Sequence, residues 1–296
     1  MIEFRKIELS DKEWITELLK KSNFKGCEYS FANNVAWQRL SDTKISRYKD
    51  FYLSASLDDG FFNLTYPAGD GNVKELFNTV SEYAIGQGKK LRLTGVNREK
   101  LDLLISLYGG ENITFWADRD SFDYIYRSSD LINLSGKKYH GKRNHIARFK
   151  EKDWEFRPIT ENVIDDCFEF SANSYNLKNG YDDHSAVVEQ YAINVFLTNF
   201  EYLGLSGGVL YREGKLVGLT IGERLNSDTF VVHIEKANAD IQGAYPCLCN
   251  EFAKACAMDL KYINREEDMG LEGLRRSKES YHPDFLLEKY TVLINI

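Results

Sequence analysis

The sequence predicts two α/β domains of one type in tandem, and three observations carry that prediction. The chain has 296 residues, enough for two ordinary domains. Its first half reads as hairpin, helix, strand, helix, strand, and its second half runs through the same order. Self-similarity of order favours two units of one kind over a single large sheet.

Ser10-Asp11-Lys12-Glu13 has the pattern of a capping box, and Trp14, Ile15, Leu18 and Leu19 repeat behind it at helical spacing, which predicts a first helix. Phe51 to Ser56 and Phe61 to Tyr66 flank Asp58-Asp59-Gly60, a turn signal that makes them a hairpin. Pro67-Ala68-Gly69-Asp70-Gly71 then interrupts the chain before a helix from Val73 to Ile85 and a strand from Leu91 to Gly95. A helix from Arg98 to Leu107 and a strand from Phe122 to Tyr126 close the first half. In the second half, Gly208 to Tyr211 and Leu216 to Ile221 flank Glu213-Gly214, and a strand from Thr229 to Glu235 follows Asn226-Ser227-Asp228. Pro246 suits the first turn of a helix that runs to Met258. The strand Lys261 to Arg265, the helix Leu271 to Glu279 and the strand Leu286 to Leu293 complete the half. The expected domains are therefore 1–133 and 134–296.

Composition narrows the function. Aromatic residues make up 14% of the chain, so buried aromatic packing is expected to carry much of the stability. Cys27, Cys167, Cys247, Cys249 and Cys256 are odd in number and scattered, which predicts reduced thiols in a cytoplasmic protein. Cys247-Leu248-Cys249 has no second Cys/His pair at zinc spacing and reads as small buried residues on a helix, so no structural metal is expected. The N-terminus has no basic segment followed by an apolar run, and no stretch of roughly 18 apolar residues occurs; neither export nor membrane spanning is expected. A net charge of −7 speaks against a dedicated DNA binder. Against that acidic background, residues 137–150 hold six Lys/Arg and two of the five histidines. This local reversal of sign suits phosphates on a nucleotide, a tRNA or a lipid head group, or else is a solvated linker helix.

Ile263 to Pro283 crowds ionisable groups around a short amphipathic helix. Leu271, Leu274, Lys278 and Tyr281 fall at i, i+3, i+7 and i+10, so a lysine and a tyrosine share the stripe that two leucines assign to the interior. Lys278 must snorkel outward or meet an anion, a neighbouring acid among the candidates. In Thr229 to Glu235, alternation puts Phe230, Val232 and Ile234 on one face and His233 and Glu235 on the other, where either could be a general base if that face lines a cleft. By the same alternation Asn264 and Glu266 share a face. Gln242-Gly243-Ala244 lies in a strand-to-helix connection whose glycine permits tight geometry and whose amides can meet an anion.

The basic Lys137 to Phe149 segment with Lys142-Arg143-Asn144, then His233-Ile234-Glu235-Lys236-Ala237, Gly243-Ala244-Tyr245, Asn264 to Gly270 and Lys278 to Pro283 occur in an order that resembles the bacterial DUF2156 family. That family is similar to the soluble C-terminal domain of phosphatidylglycerol lysyltransferase, and the resemblance covers nearly the whole chain. It implies two GNAT-like (acyl-CoA N-acyltransferase-like) domains in tandem, each a mixed, mostly antiparallel sheet flanked by helices, with central strands that splay to admit an acyl donor. Thr229 to Glu235 and Lys261 to Arg265 would be the splayed pair, and Gln242-Gly243-Ala244 the pyrophosphate loop. The fuller arginine- and glycine-rich signature of CoA-dependent members is absent, since Asn238-Ala239-Asp240 brings an acid and no arginine. Relatives that use aminoacyl-tRNA would give the basic segment 137–150 a role.

The implied activity is transfer of an activated acyl or aminoacyl group from acyl-CoA or aminoacyl-tRNA to an amine or hydroxyl acceptor, a peripherally contacted lipid head group among them. Glu235 or His233 would deprotonate the acceptor, Tyr281 would protonate the leaving group, and backbone N–H groups after Glu235 would hold the oxyanion. Lys278, Lys142 and Arg143 with Gln242, Gly243 and Ala244 would bind the donor's phosphates, and Asn264 and Glu266 would orient the acceptor. The first domain has Asn63, Thr65 and Tyr66 at the matching strand, so it is expected to be structural or to bind the acceptor. The alternative is a non-catalytic module of this fold that recognises a phosphate-rich ligand or tRNA.

Overall fold

The computed structural model describes residues 2–40, 42–176 and 184–295. Its elements begin with α1 (Lys12–Ser22), α2 (Phe31–Trp37), β1 (Lys44–Tyr48), β2 (Phe51–Asp58), β3 (Phe61–Thr65), β4 (Ala68–Gly69), α3 (Val73–Gly86), β5 (Lys90–Val96), α4 (Arg98–Tyr108) and β6 (Ile113–Ala117). Next come β7 (Asp123–Arg127), α5 (Ser128–Asn133), α6 (His140–Phe149), β8 (Trp154–Pro158), α7 (Glu161–Asn176), α8 (His184–Thr198), α9 (Phe200–Leu203), β9 (Ser206–Arg212), β10 (Lys215–Arg224) and β11 (Thr229–Ala237). The chain finishes with α10 (Ala244–Cys256), β12 (Tyr262–Asn264), α11 (Glu272–Glu279), β13 (Phe285–Leu287) and β14 (Tyr290–Ile294).

One sheet runs β1-β2-β3-β5-β14-β6, with β4 paired to β2, and the other runs β13-β7-β12-β11-β10-β9-β8. β3 is parallel to β5 and β11 to β12, while both hairpins are antiparallel. β7 lies between β12 and β13, and β14 between β5 and β6, so each half of the chain lends a strand to the other half's sheet. The compact units are accordingly Met1–Asp123 with Glu267–Glu272 and Leu286–Ile296, and Tyr124–Glu266 with Gly273–Phe285. This differs from the contiguous division at 133/134. The reason lies in β7 itself: Tyr124, Ile125 and Tyr126 are all fully buried, a strand apolar on both faces that needs a central place in a sheet.

Residues 286–293, expected as one strand, are the end of β13 and most of β14, separated by Glu288-Lys289. The Lys289 side chain is only 11% exposed in the first unit, its ammonium 2.7 Å from Asp123 and 2.8 Å from Glu28. Burial opposes that charge, but Asp123, Cys27 and Glu28 raise the lysine well above its ordinary value. Leu53, Leu64, Leu76, Phe77, Leu93 and Val292 form the core of this unit. In the second unit, Tyr139 just before α6, Phe149 of α6, and Cys247 and Leu248 of α10 pack with Leu210 and Val217 of β9 and β10. Among the described residues no helix is long and apolar enough to cross a membrane.

The start of α1 departs from the capping-box reading. Asp11, not Ser10, is the N-cap, and its buried carboxylate takes the Glu8 amide at 2.9 Å, Trp14 Nε1 at 2.9 Å and Arg5 Nη1 at 2.8 Å. Arg5 pairs in turn with Ile45 through backbone hydrogen bonds, so Asp11 ties α1 to the edge of the sheet. Asp11→Ala is expected to lower the unfolding free energy in urea by about 2 kcal/mol, the scale of charge-assisted hydrogen bonds lost from a buried group. A loss below about 0.5 kcal/mol would contradict this role.

Candidate active site

In the second unit β11 and β12 pair only at Thr229–Tyr262, Phe230–Ile263 and Val231–Asn264. β12 then ends while β11 continues to Ala237, so the strands part and the next side chains face the gap. Arg265 is the first of these. It is 9% exposed, its Nη2 lies 2.6 Å from Glu235 Oε1, and its Nη1 has no hydrogen-bond partner. The guanidinium carbon stands 4.7 Å from the centre of the Tyr281 ring and 5.7 Å from that of Tyr126. Lys142 Nζ lies 3.8 Å from the Tyr281 ring centre and donates to Ser280 Oγ at 2.6 Å. Two cations therefore flank one phenol, an arrangement that its π faces favour.

The electrostatics follow from burial. Desolvation, then the neighbouring Arg265 charge, lowers Lys142 to about 8, so much of its amine is neutral in mildly alkaline solution. Burial pushes the Cys249 thiol up to about 12, which leaves it an inert wall residue. Burial also holds Tyr281 well above its ordinary value, as a neutral phenol able to donate a proton.

A strained turn aims Arg265. Glu266 adopts φ 55°, unusual for a residue with a side chain. Asn264 Oδ1 accepts its amide at 2.7 Å, and the Lys278 ammonium donates to the carbonyls of Arg265 at 2.6 Å and Glu266 at 3.2 Å. Lys278 is buried, as its stripe implies, but these contacts make it a brace for the turn rather than a cation facing solvent. Leu271, assigned to the interior by the same stripe, lies before α11 and is 56% exposed. Asn264 and Glu266 do not share a strand face, because β12 ends at Asn264 and the turn sends Glu266 elsewhere.

His233 and Glu235 are also separated. Ile221 pairs with Ile234 but Gly222 pairs with Val232, which leaves His233 as the extra residue of a β-bulge. Alternation resets there, so Glu235 joins Phe230 and Val232 on one face. His233 turns to the other face, with Nδ1 2.8 Å from Glu266, Nε2 3.1 Å from Glu223, and Phe196 stacked on its ring at 5.3 Å. Burial opposes protonation, yet the hydrogen bonds and charges of the two carboxylates raise the imidazole to about 9. At neutral pH it is an imidazolium with both nitrogens engaged.

The Gln242-Gly243-Ala244 turn caps α10, with Gly243 at φ 87°. A Cβ on Gly243 would lie 2.2 Å from the His145 carbonyl oxygen, so α6 closes on the turn and presents an acceptor where a phosphate would need donors. Gln242 lies 3.4 Å from His145 Nδ1, and the Ala244 amide is bonded to the Ile241 carbonyl at 3.1 Å. Arg143 donates to the carbonyls of Leu134 at 2.5 Å and Gly136 at 2.7 Å, shaping the approach to α6, while Lys137, Lys138 and Arg148 are exposed. The structure thus gathers Glu235, Tyr281 and Lys142, adds Arg265, Tyr126 and Cys249, and leaves His233, Glu266 and the Gln242 turn outside the gap. Arg265 escapes the sequence reading because it lies one residue past a short strand, where alternation no longer applies. As for metals, Cys27, Asp123 and Glu267 bring ligand atoms within 4.8 Å of one another in the first unit, but the Lys289 ammonium already lies 2.7 Å from Asp123.

Two mixed α/β sheets in tandem, each with a parallel pair, define the tandem GNAT-like fold. The sequence profile of the phosphatidylglycerol lysyltransferase C-terminal family matches residues 19–293, and the chain belongs to that family. A conserved protein of unknown function from Bacteroides thetaiotaomicron VPI-5482 is 38% identical and superposes with a TM-score of 0.94 over 99% of this chain and 100% of that one. L-PGS from Bacillus licheniformis shares the fold at 15% identity and TM-score 0.65, over 96% and 92% of the two chains. A tandem GNAT protein from the clavulanic acid biosynthesis pathway shares it at 12% identity and TM-score 0.50, over 98% of each. An uncharacterized protein of Mycoplasmoides gallisepticum is 26% identical over 206 residues, which is 68% of this chain and 63% of that relative.

His233 makes stability depend on pH. Its folded value of about 9 exceeds the ordinary 6.5, so its stabilising contribution is full below pH 6.5 and is lost as pH rises through 9. The difference corresponds to about 3 kcal/mol. Urea unfolding of the wild type is expected to weaken by that order between pH 6.5 and 9, and His233→Gln should lack this slope. An equal slope in the variant would contradict the assignment.

Proposed function

We propose that the second unit transfers an aminoacyl group from aminoacyl-tRNA to a hydroxyl or amine acceptor, with Arg265, Glu235 and Tyr281 at the reacting atoms. One observation carries this reading: the buried, unpartnered Nη1 of Arg265 in the gap between parallel strands. A buried donor without a partner is costly, and a ligand that supplies the missing acceptor is one explanation of such an exception. A carbonyl oxygen that gains negative charge in the transition state is such an acceptor.

The acceptor's lone pair forms the new bond to the carbonyl carbon while Glu235 takes its proton. Arg265 Nη1 donates to the oxygen that becomes an oxyanion. As the intermediate collapses, the ester C–O bond to the tRNA breaks and the leaving oxygen takes the proton of the Tyr281 phenol. His233 is an imidazolium up to about pH 9 and so leaves the base role to Glu235. The exposed Lys137, Lys138 and Arg148 favour an RNA donor with many phosphates, and the His145 carbonyl against Gly243 disfavours a pyrophosphate there. Membership of the phosphatidylglycerol lysyltransferase C-terminal family supports phosphatidylglycerol as the acceptor to try first.

The test is transfer of labelled amino acids from a charged total-tRNA pool to phosphatidylglycerol vesicles by the full chain, with acetyl-CoA as a parallel donor. Label is expected in the lipid fraction. Glu235→Gln should lower kcat/KM by about 10²-fold or more, and Tyr281→Phe by about tenfold or more. Unchanged turnover in both variants would remove these residues from the chemistry.

A further inference from the structure

One edge of the first unit's sheet is unlike the other sheet edges. β6 ends the strand order and has β14 as its one strand neighbour among the described residues. Ile113 is buried, but Thr114 to Ala117 are exposed, so both faces of the strand meet solvent, with Phe115 at 45% and Trp116 at 43%. An open edge presents unpaired N–H and C=O groups to any passing strand, and proteins blunt it with charge, proline, a bulge or a very short strand. The other edges here have such devices: β1 carries Lys44 and Arg47, β8 carries Arg157 and Pro158, and β13 is three residues long. β6 has none of them, and its register with β14 runs from Ala117 to Ile113 without a bulge. We infer that β6 pairs antiparallel with β6 of a second copy of this chain, in a symmetric dimer whose sheet continues across the interface.

The sequence of the strand and its flanks selects this occupant. A two-fold axis runs two copies of one strand antiparallel and makes every contact twice. With the axis at Phe115, the two Phe115 rings face each other, Thr114 faces Trp116 of the second copy, and Ile113 faces Ala117. Beyond the strand, Glu111 then faces Arg119, and no two like charges lie opposite. Arg119 Nη1 lies 3.2 Å from Asp268, but the side chain keeps 32% of its surface exposed, and a guanidinium has donors enough for two carboxylates. Moving the axis to Thr114 sets Asn112 against Trp116 and loses the Glu111 pair, while moving it to Trp116 sets Ile113 against Arg119. Charge and apolar matching therefore agree on one register. Phe115 is already seated edge-on against Tyr290 at 5.9 Å between ring centres, so little side-chain freedom is lost on docking. The exposed acids Glu111 and Asp118 at the two ends of the strand oppose an anionic lipid surface as the occupant.

The full chain is examined by sedimentation velocity across the micromolar range. Its mass is expected to rise with concentration from the 34.2 kDa of one chain toward twice that value. Trp116→Lys places a charge on the edge and should weaken the dimer about tenfold or more. Glu111→Arg sets like charges opposite at both ends and should weaken it severalfold, more so at low salt. Both positions are exposed, so thermal melting of the dilute monomer is expected to match the wild type and to separate lost pairing from lost folding. A wild type that stays at one chain's mass throughout overturns the inference. Dimers that persist unweakened in both variants overturn it as well, by placing the interface on another face. A monomeric wild type that sediments with phosphatidylglycerol vesicles, where Trp116→Lys does not, makes a lipid surface the occupant and also overturns it.

Discussion

The second unit depends on one ion pair, Arg265 with Glu235, held where two parallel strands separate. A guanidinium that is 9% exposed must be compensated by its surroundings, and much of the neighbouring chain does so. Glu235 takes one nitrogen, the Tyr281 and Tyr126 rings lie near the guanidinium, and a second nitrogen is left without a hydrogen-bond partner. Lys278 and Asn264 fix the turn that delivers the arginine, and His233, as an imidazolium, holds the Glu266 side chain that the turn throws to the other face. Stability alone does not explain such a site, because apolar residues of similar volume serve a buried position at least as well as an ion pair.

Strand exchange positions this pair. β7 is antiparallel to β12, and its Tyr124 carbonyl accepts the Arg265 amide at 3.0 Å while its Tyr124 amide donates to the Glu266 carbonyl at 3.1 Å. The arginine is thus hydrogen-bonded through its backbone to a strand from the first half of the sequence. The first unit has its own parallel pair, β3 with β5, but there Glu28 lies against Gly95 and Lys289 is locked to Glu28 and Asp123. Every charge of that cluster has an internal partner at hand, which suits a structural role better than chemistry.

Both hairpins and five of the helices, α1, α3, α4, α10 and α11, are legible in the sequence because periodicity and turn residues act locally. β1 and β6 are not: β6 exposes Thr114, Phe115, Trp116 and Ala117, and a strand with one buried residue has no alternation to detect. The exchange of β7 and β14 is invisible for a different reason, since local pattern says that a strand is buried but not which sheet buries it. At the site, Glu235 and Tyr281 are readable, whereas the separation of His233 from Glu235 depends on a bulge. A hint exists in Gly222, a glycine inside a strand, where a Cβ would lie 2.2 Å from the Val231 carbonyl oxygen. Arg265 has no such hint, because its importance comes from strands that part in space.

The most direct test replaces the pair as a unit. The Arg265→Met, Glu235→Leu double variant should unfold in urea within about 1 kcal/mol of the wild type, because the apolar pair fills the same buried volume. It should also transfer no acyl group from any donor the wild type uses. A double variant that keeps wild-type transfer would contradict the claim that this ion pair is the chemical centre of the protein.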